Sequence, residues 1–284
     1  MKKPGRSALF MAILSGFGAP AMAETGCSAL ASAIGTSVGR LHARLQSALD
    51  NAVADESSGL DFDMWGTLVN RDGIVCAVAF SGNNRGSQWP GSRVISAQKA
   101  SAANAFSLNG LALSTANLFS AVQPGGSLFG LQESNPVDTG AAYQGPARNF
   151  GRKNDPMVGE RIGGINVFGG GLGLYDEDGR VVGGVGVSGD TSCADHAIGY
   201  RLRENLGLAN LSGVGGVAAL FNSDPMHPDN IIFDITANPD GGTGNSASGF
   251  GHPTCLNVDA DGDADNSNAE GDDYVKSALP DATD

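Results

Sequence analysis

Glycine crowds the short apolar runs of this chain. Pro124-Gly-Gly126, the stretch Gly163–Gly171 and Gly183-Gly-Val-Gly-Val-Ser-Gly189 interrupt segments that otherwise read as strands. A glycine inside a strand weakens it and marks a bulge, a tight turn or the close approach of another group. Either a planar ligand or a neighbouring element must therefore lie against these strands. The sequence leaves both open, because the same glycines permit tight helix–sheet and subunit packing.

The first 23 residues read as a secretory signal peptide. Lys2, Lys3 and Arg6 precede an apolar core from Ala8 to Phe17, and Ala21-Met-Ala23 is a small-x-small cleavage site. Cleavage before Glu24 would take the formal charge from −13 to −16. No later segment reaches about 18 uninterrupted apolar residues, so no membrane insertion is expected after cleavage. An acidic balance of this size argues against nucleic acid as a partner, since phosphate binding needs clustered Lys and Arg. The expected location is the periplasm or the exterior of the cell. In such an oxidising setting the four cysteines, Cys27, Cys76, Cys193 and Cys255, predict two disulfides with three possible connectivities. Cys193–Cys255 is preferred, because it would tie the C-terminal part to the core.

Along the mature chain, Leu30, Ile34, Val38, Leu41, Leu45 and Leu49 recur at helical spacing. Met64–Asn70 and Ile74–Ser81 flank Arg71-Asp-Gly73, a hairpin signal. Ser92 or Ser96 would cap a helix running to about Phe106, and Leu111–Val122 reads as a further helix. Glu133 to Arg161 is a long ordered loop or insertion punctuated by prolines. Ile165–Phe168, Gly171–Tyr175 and Val181–Val187 read as strands, and Asp190 opens a helix to about Leu206. Ile231–Ile235 would add one more strand. The order predicts an α+β fold: a mostly antiparallel sheet of about five strands flanked by helices. The expected divisions are the signal peptide 1–23, a domain over 24–208, and an extension over 209–284. The extension has a Gly/Ser-rich loop and an acidic tail.

Several chemical constellations need weighing. Ser188 misses a nucleophile elbow by one position, and Asp190, Asp195 and His196 are candidate catalytic groups that a helix N-terminus also collects as caps. Cys193-Ala-Asp-His196 and His252-Pro-Thr-Cys255 mirror each other as a tetrahedral zinc set, against a disulfide between the same cysteines. Asp259, Asp261, Asp263, Asp265 and Glu270 have the spacing of a calcium loop, but Ala264 stands where that loop needs glycine. Their other reading is a solvated acidic tail. His42 and His227, with Met157 and Met226 behind them, are candidate axial ligands for a haem iron.

Four segments in order resemble the GlcG/HbpS-like haem-binding family, the DUF336 type, also called haem-degrading. They are Val94–Phe106, Gln123–Gly130, Gly169–Tyr175 and Val182–Gly189. Ser188–His196 and Gly251–Cys255 look like an exported subgroup with a C-terminal extension. The resemblance implies an antiparallel sheet with profilin-like layering, homo-oligomers, and haem binding. In some members it implies haem degradation or partnership with a membrane sensor. By position, Lys99 is the lysine of the family motif on the second helix, and the haem-linked threonine of that motif is Ala102 here. Gly125 and Gly126 match its Pro-Gly-Gly loop, and His196 joins them as a candidate contact. Lys99 would pair with a haem propionate. The expected function is sequestration or buffering of haem and iron, with a periplasmic or membrane sensor reading the loaded state. The alternatives are an enzyme acting near Ser188–His196, with oxygen-dependent haem degradation as its family version, and an adaptor subunit of a periplasmic redox system.

Overall fold

The computed structural model describes residues 26–56 and 58–254. Two helices open it, α1 (Ser28–Ala33) and α2 (Leu41–Ala54), followed by strands β1 (Trp65–Asn70) and β2 (Val75–Phe80) and helix α3 (Ser92–Phe106). A two-residue strand β3 (Leu111–Ala112) and two short helices, α4 (Leu131–Ser134) and α5 (Thr139–Tyr143), precede β4 (Gly171–Tyr175) and β5 (Val181–Ser188). Helix α6 (Ser192–Asn205), strand β6 (Gly215–Gly216), helix α7 (Val217–Phe221) and the small pair β7 (Ile235–Thr236) and β8 (Asn245–Ser246) complete it. The main sheet is antiparallel with strand order β2-β1-β5-β4.

The alternation along β4 and β5 decides the architecture. Leu172, Leu174, Val185 and Val187 point to one face and join a core with Leu45 and Leu49 of α2 and Ile198 and Leu202 of α6. Their neighbours on the other face are glycines, and α3 lies directly on them. A Cβ added at Gly186 would stand 1.9 Å from the Ser96 carbonyl oxygen, and one at Gly184 would stand 2.4 Å from that of Ala100. No side chain fits there, so the glycines serve helix-on-sheet contact. The alanines of α3 answer them: Ala97, Ala100 and Ala103 are fully buried. The strand glycines that the sequence left between ligand and packing belong to packing.

The Asp-Gly hairpin forms as expected. Asn70 Oδ1 accepts the Asp72 and Ile74 amides, and Gly73 takes φ +74°. Among the described residues four strands, against the expected five or so, make the main sheet. Ile165–Phe168 is an extended loop, and of Ile231–Ile235 only Ile235 enters a ladder, against Ser246. Leu111–Val122 is not a continuous helix. Ser114 donates its hydroxyl and its amide to Asn117 Oδ1, and two 3-10 turns follow at Ala116–Leu118 and Ser120–Val122. Side-chain bonds of this kind compete with helix formation. Neither Ser92 nor Ser96 caps α3, whose N-cap is Gly91; Ser96 instead bonds Thr67 of β1 at 2.8 Å. Thr191, rather than Asp190, caps α6.

Part of the extension is built into the molecule. β6 pairs in parallel with β3, Ile231 packs on Ala116 and Cys193, and Asp229 is fully buried against Arg203. Cys27–Cys76 is a disulfide that ties α1 to β2. Cys193 is also disulfide-bonded. The expected Cys193–Cys255 pairing involves Cys255, which lies outside the described residues, as do the signal segment 1–23 and the calcium-loop residues Asp259, Asp261, Asp263, Asp265 and Glu270. No helix among the described residues is long and apolar enough to cross a membrane.

Candidate functional site

The candidate residues fall into three places. The first is the seam where α3 and α6 meet the glycine strands. Lys99 is 1% exposed; its Nζ donates to Asp195 Oδ2 at 2.5 Å and to the Val187 carbonyl at 3.1 Å. Burial pulls the Lys99 amine down from its ordinary value, and Asp195 opposes that shift. Burial also pushes Asp195 up to about 6, although Lys99 and the Gly189 and Asp190 amides pull the other way. Ala102 is fully buried one turn further along α3.

His196 sits in the same region with no exposure and with neither ring nitrogen hydrogen-bonded among the described residues. Burial holds it down to about 3, so it is a neutral ring packed on Tyr200. Below it, Tyr200 and Arg203 close on Asp229, with Arg203 Nη1 2.7 Å from Asp229 Oδ2. Asp190 is occupied structurally as well. Its carboxylate accepts the amides of Leu60, Phe62 and Thr191. Asp190, Asp195 and His196 are neighbours, but none of them holds a nucleophile.

The Ser–His contact that does exist here was not apparent in the sequence. Ser192 Oγ lies 2.8 Å from His252 Nε2, and His252 Nδ1 lies 2.7 Å from the Pro253 carbonyl oxygen. The carbonyl requires Nδ1 to carry the proton, so Nε2 accepts from Ser192. Burial holds His252 down to about 4. Gly169 N–H also donates to Ser192 Oγ, at 2.7 Å. Among the described residues no group of three or more His, Cys, Asp or Glu side chains could hold a metal, and the disulfide at Cys193 removes a thiolate from the mirrored zinc set.

The second place is a groove of about 470 Å³ at the Pro-Gly-Gly loop. Gly125 and Gly126 form one wall, and Thr243, Asn245 and Phe250 of the extension form the other. Gly126 is required there, since a Cβ would stand 2.4 Å from the Ala121 carbonyl oxygen. Its lining is neutral throughout.

The third place, which no sequence motif marked, is an open groove of about 560 Å³ between α2 and the turn at Gly151. His42, Gln46, Asp50, Phe80, Arg152 and Lys153 line it. The sequence had marked His42 alone, as a candidate axial ligand; the run Arg148, Arg152, Lys153 in an otherwise acidic chain was a signal left unread. Of the other axial candidates, His227 is tied to Asp224 at 3.0 Å, Met157 is fully buried, and Met226 is 42% exposed.

Residues 69–201 match the family model described as haem degrading protein HbpS-like. No curated protein matches the chain. Among solved structures the chain is similar to Klebsiella pneumoniae protein ORFY, of the DUF336 family, at 23% identity over 58% of this chain and 86% of that one, with a TM-score of 0.40. It is similar to PduOC in a complex with haem at 20% identity, over 57% of this chain and 89% of that one, with a TM-score of 0.39. A double mutant of Streptomyces reticuli HbpS gives 13% identity over 71% of this chain and 97% of that one, with a TM-score of 0.39. The span similar to the HbpS-like family, residues 69–201, carries β2, α3, β4, β5 and most of α6.

Proposed function

We propose that this chain is an exported haem-binding protein that sequesters or buffers haem, or the iron released from it, and whose loaded state a partner protein reads. The match of residues 69–201 to the HbpS-like family carries this reading. The antiparallel sheet with helices on both faces accords with it.

Haem is flat, largely apolar and anionic at its two propionates, and its iron takes an axial ligand such as an imidazole. The family motif position on α3 does not fit such a group in this chain. Lys99 is spent on Asp195, Ala102 has no exposed surface, and the glycines above them are covered by α3 itself. Haem would have to be held elsewhere on the same domain.

The test is a haemin titration followed by absorbance. A saturable Soret shift at about one haem per subunit is expected. A shift that never saturates would mean adhesion to apolar surface and would end this reading. A second reading, an enzyme acting near Ser188–His196, is favoured by the Ser192–His252 contact alone. Haemin consumed with a reductant and oxygen, and spared by His252→Ala, would favour it over simple binding.

A further inference from the structure

We propose that the groove between α2 and the Gly151 turn holds the chain's own acidic tail, with Arg152 and Lys153 pairing the carboxylates of the run Asp259, Asp261, Asp263 and Asp265. The tail thereby covers, within one chain, cations that an external anion would otherwise meet.

The charges are complementary. Residues 255–284 carry nine acidic side chains and one lysine. Elsewhere Arg93 is paired with Asp155, Lys99 with Asp195, Arg201 with Glu56, Arg203 with Asp229 and Arg180 with Asp176. Arg152 and Lys153 are adjacent and exposed in the groove, and neither side chain has a partner among the described residues. Arg148, just before the turn, and Arg85, in the loop after β2, are exposed and equally uncommitted there. The lining is polar and charged apart from Phe80, itself buried, which suits an extended run of carboxylates. Asp50 also lines the groove, with Gln46 Nε2 donating to it at 2.8 Å, so one negative charge is set against the two positive ones.

The tail also starts close by. The described chain ends at Thr254, two residues past His252, which is bonded to Ser192 in the first turn of α6. That helix begins just after β5 ends at Ser188. Trp65 of β1 pairs with both Ser188 and Phe80, so the tail departs from the same end of the sheet as the groove. The ends of β5 and β2 are two strand spacings apart, about 10 Å. From Thr254, an extended chain reaches at most about 17 Å by Asp259 and about 37 Å by Asp265. This run of carboxylates therefore arrives at the groove with slack.

The turn that presents the cations is firmly built. Gly151 has φ +71°, and a Cβ there would stand 2.3 Å from the Phe80 ring. Its amide donates to Asp155 Oδ2 at 2.6 Å, and its carbonyl accepts from His42 Nε2 at 2.9 Å. Asp155 in turn is buried in a two-pronged pair with Arg93, which stacks on Phe150 at 3.7 Å. A positioned turn lowers the ordering cost of holding a partner. Exposed ion pairs are weak singly. A short tether supplies an effective concentration on the order of millimolar, which lets a few such pairs hold the tail.

The experiment is carbodiimide cross-linking of the full chain, which joins an amine to a carboxylate in contact with it, read by peptide mass spectrometry. Lys153 is the reporter, since Lys99 is buried and Lys276 belongs to the tail itself. Mixing isotope-labelled and unlabelled protein separates links within a chain from links between chains. Lys153 should link within one chain to the Asp259–Asp265 run, at a yield that falls in about 0.5 M salt. Arg152→Glu, which leaves Lys153 to report, should lower the yield about fivefold, the size of one exposed ion pair. A synthetic peptide of residues 256–273 should bind Asp259→Asn/Asp261→Asn/Asp263→Asn/Asp265→Asn about tenfold more tightly than the wild type, whose groove is filled. Circular dichroism and Tm serve as the fold check on the variants. Lys153 linked to Asp50 and never to the tail, tail links found only between chains, or a peptide bound equally by both proteins would overturn the proposal.

Discussion

The α3–α6 seam and the Gly151 groove contain the same chemistry in opposite states. Each places a lysine near a histidine. In the seam, Lys99 is locked to Asp195 and His196 is sealed from solvent. In the groove, Lys153 is uncommitted and His42 borders an open concavity. The family motif lies in the seam, whereas the accessible cations lie in a segment between the motifs. A lysine matched to a motif says little about binding until its partner is known, because a buried cation must be neutralised from within.

The largest expected effect tests this division. Lys99→Met leaves Asp195 buried without its cation and should lower unfolding free energy by about 3–5 kcal/mol. Arg152→Gln/Lys153→Gln should stay within about 0.5 kcal/mol, as exposed substitutions usually do. Urea unfolding of the two variants reads the difference. Adding Asp195→Leu to Lys99→Met should restore much of the loss, because an apolar pair can replace a buried ion pair. A Lys99→Met variant as stable as the wild type would mean that the seam is not structural. Haemin titrations on Lys99→Ala would then become interpretable, which an unstable variant would not allow.

A smaller effect should come from the glycine strip beneath the seam. Gly186→Ala drives a methyl group towards the Ser96 carbonyl and should cost about 1–3 kcal/mol by overpacking. If the strip were a ligand surface instead, the methyl would be tolerated by the fold and haemin affinity would fall. Thermal unfolding and a haemin titration on the same variant separate the two.

The legible part of the fold was its local chemistry. The hairpin at Arg71-Asp-Gly73 was readable because Asp-Gly carries its own turn geometry, and α3 and α6 were readable as helices to within a residue of their C-terminal ends, although the caps expected for them, Ser92 or Ser96 and Asp190, are not the ones used. The purpose of the strand glycines was not, since an open strand face and one covered by a helix backbone give the same composition. The false helix at Leu111–Val122 has a similar cause: apolar residues recur there, but Ser114 and Asn117 bond each other. The groove depends on contacts far apart in sequence, His42 with Gly151 and Arg93 with Asp155, and no local pattern encodes those. His42, a candidate axial ligand, and the run of cations near residue 150 were its local signals. The Ser192–His252 contact was equally hidden, with its partners 60 residues apart.

The smallest effect concerns acid, and it belongs to the seam side and not to the groove. His252 and His196 are held neutral by burial, at about 4 and about 3, against about 6.5 in the unfolded chain. The unfolded state therefore binds more protons below pH 6.5, and stability is lost as pH falls from there towards the folded values. Asp195 works the other way. Its folded value of about 6 lies above its unfolded one, so its contribution is present below about pH 4 and is lost as pH rises through 6. Two histidines against one carboxylate leave a net loss on acidification between pH 6.5 and 4. Replacing one of them, His252→Gln, should make this slope shallower by about 1 kcal/mol per pH unit. Arg152→Gln/Lys153→Gln should leave the slope unchanged. Urea midpoints at pH 7, 5.5 and 4.5 read all three proteins. A slope unaltered by His252→Gln would mean that His252 is solvated in the native state, and that the Ser192 contact closing the extension onto α6 is open in solution.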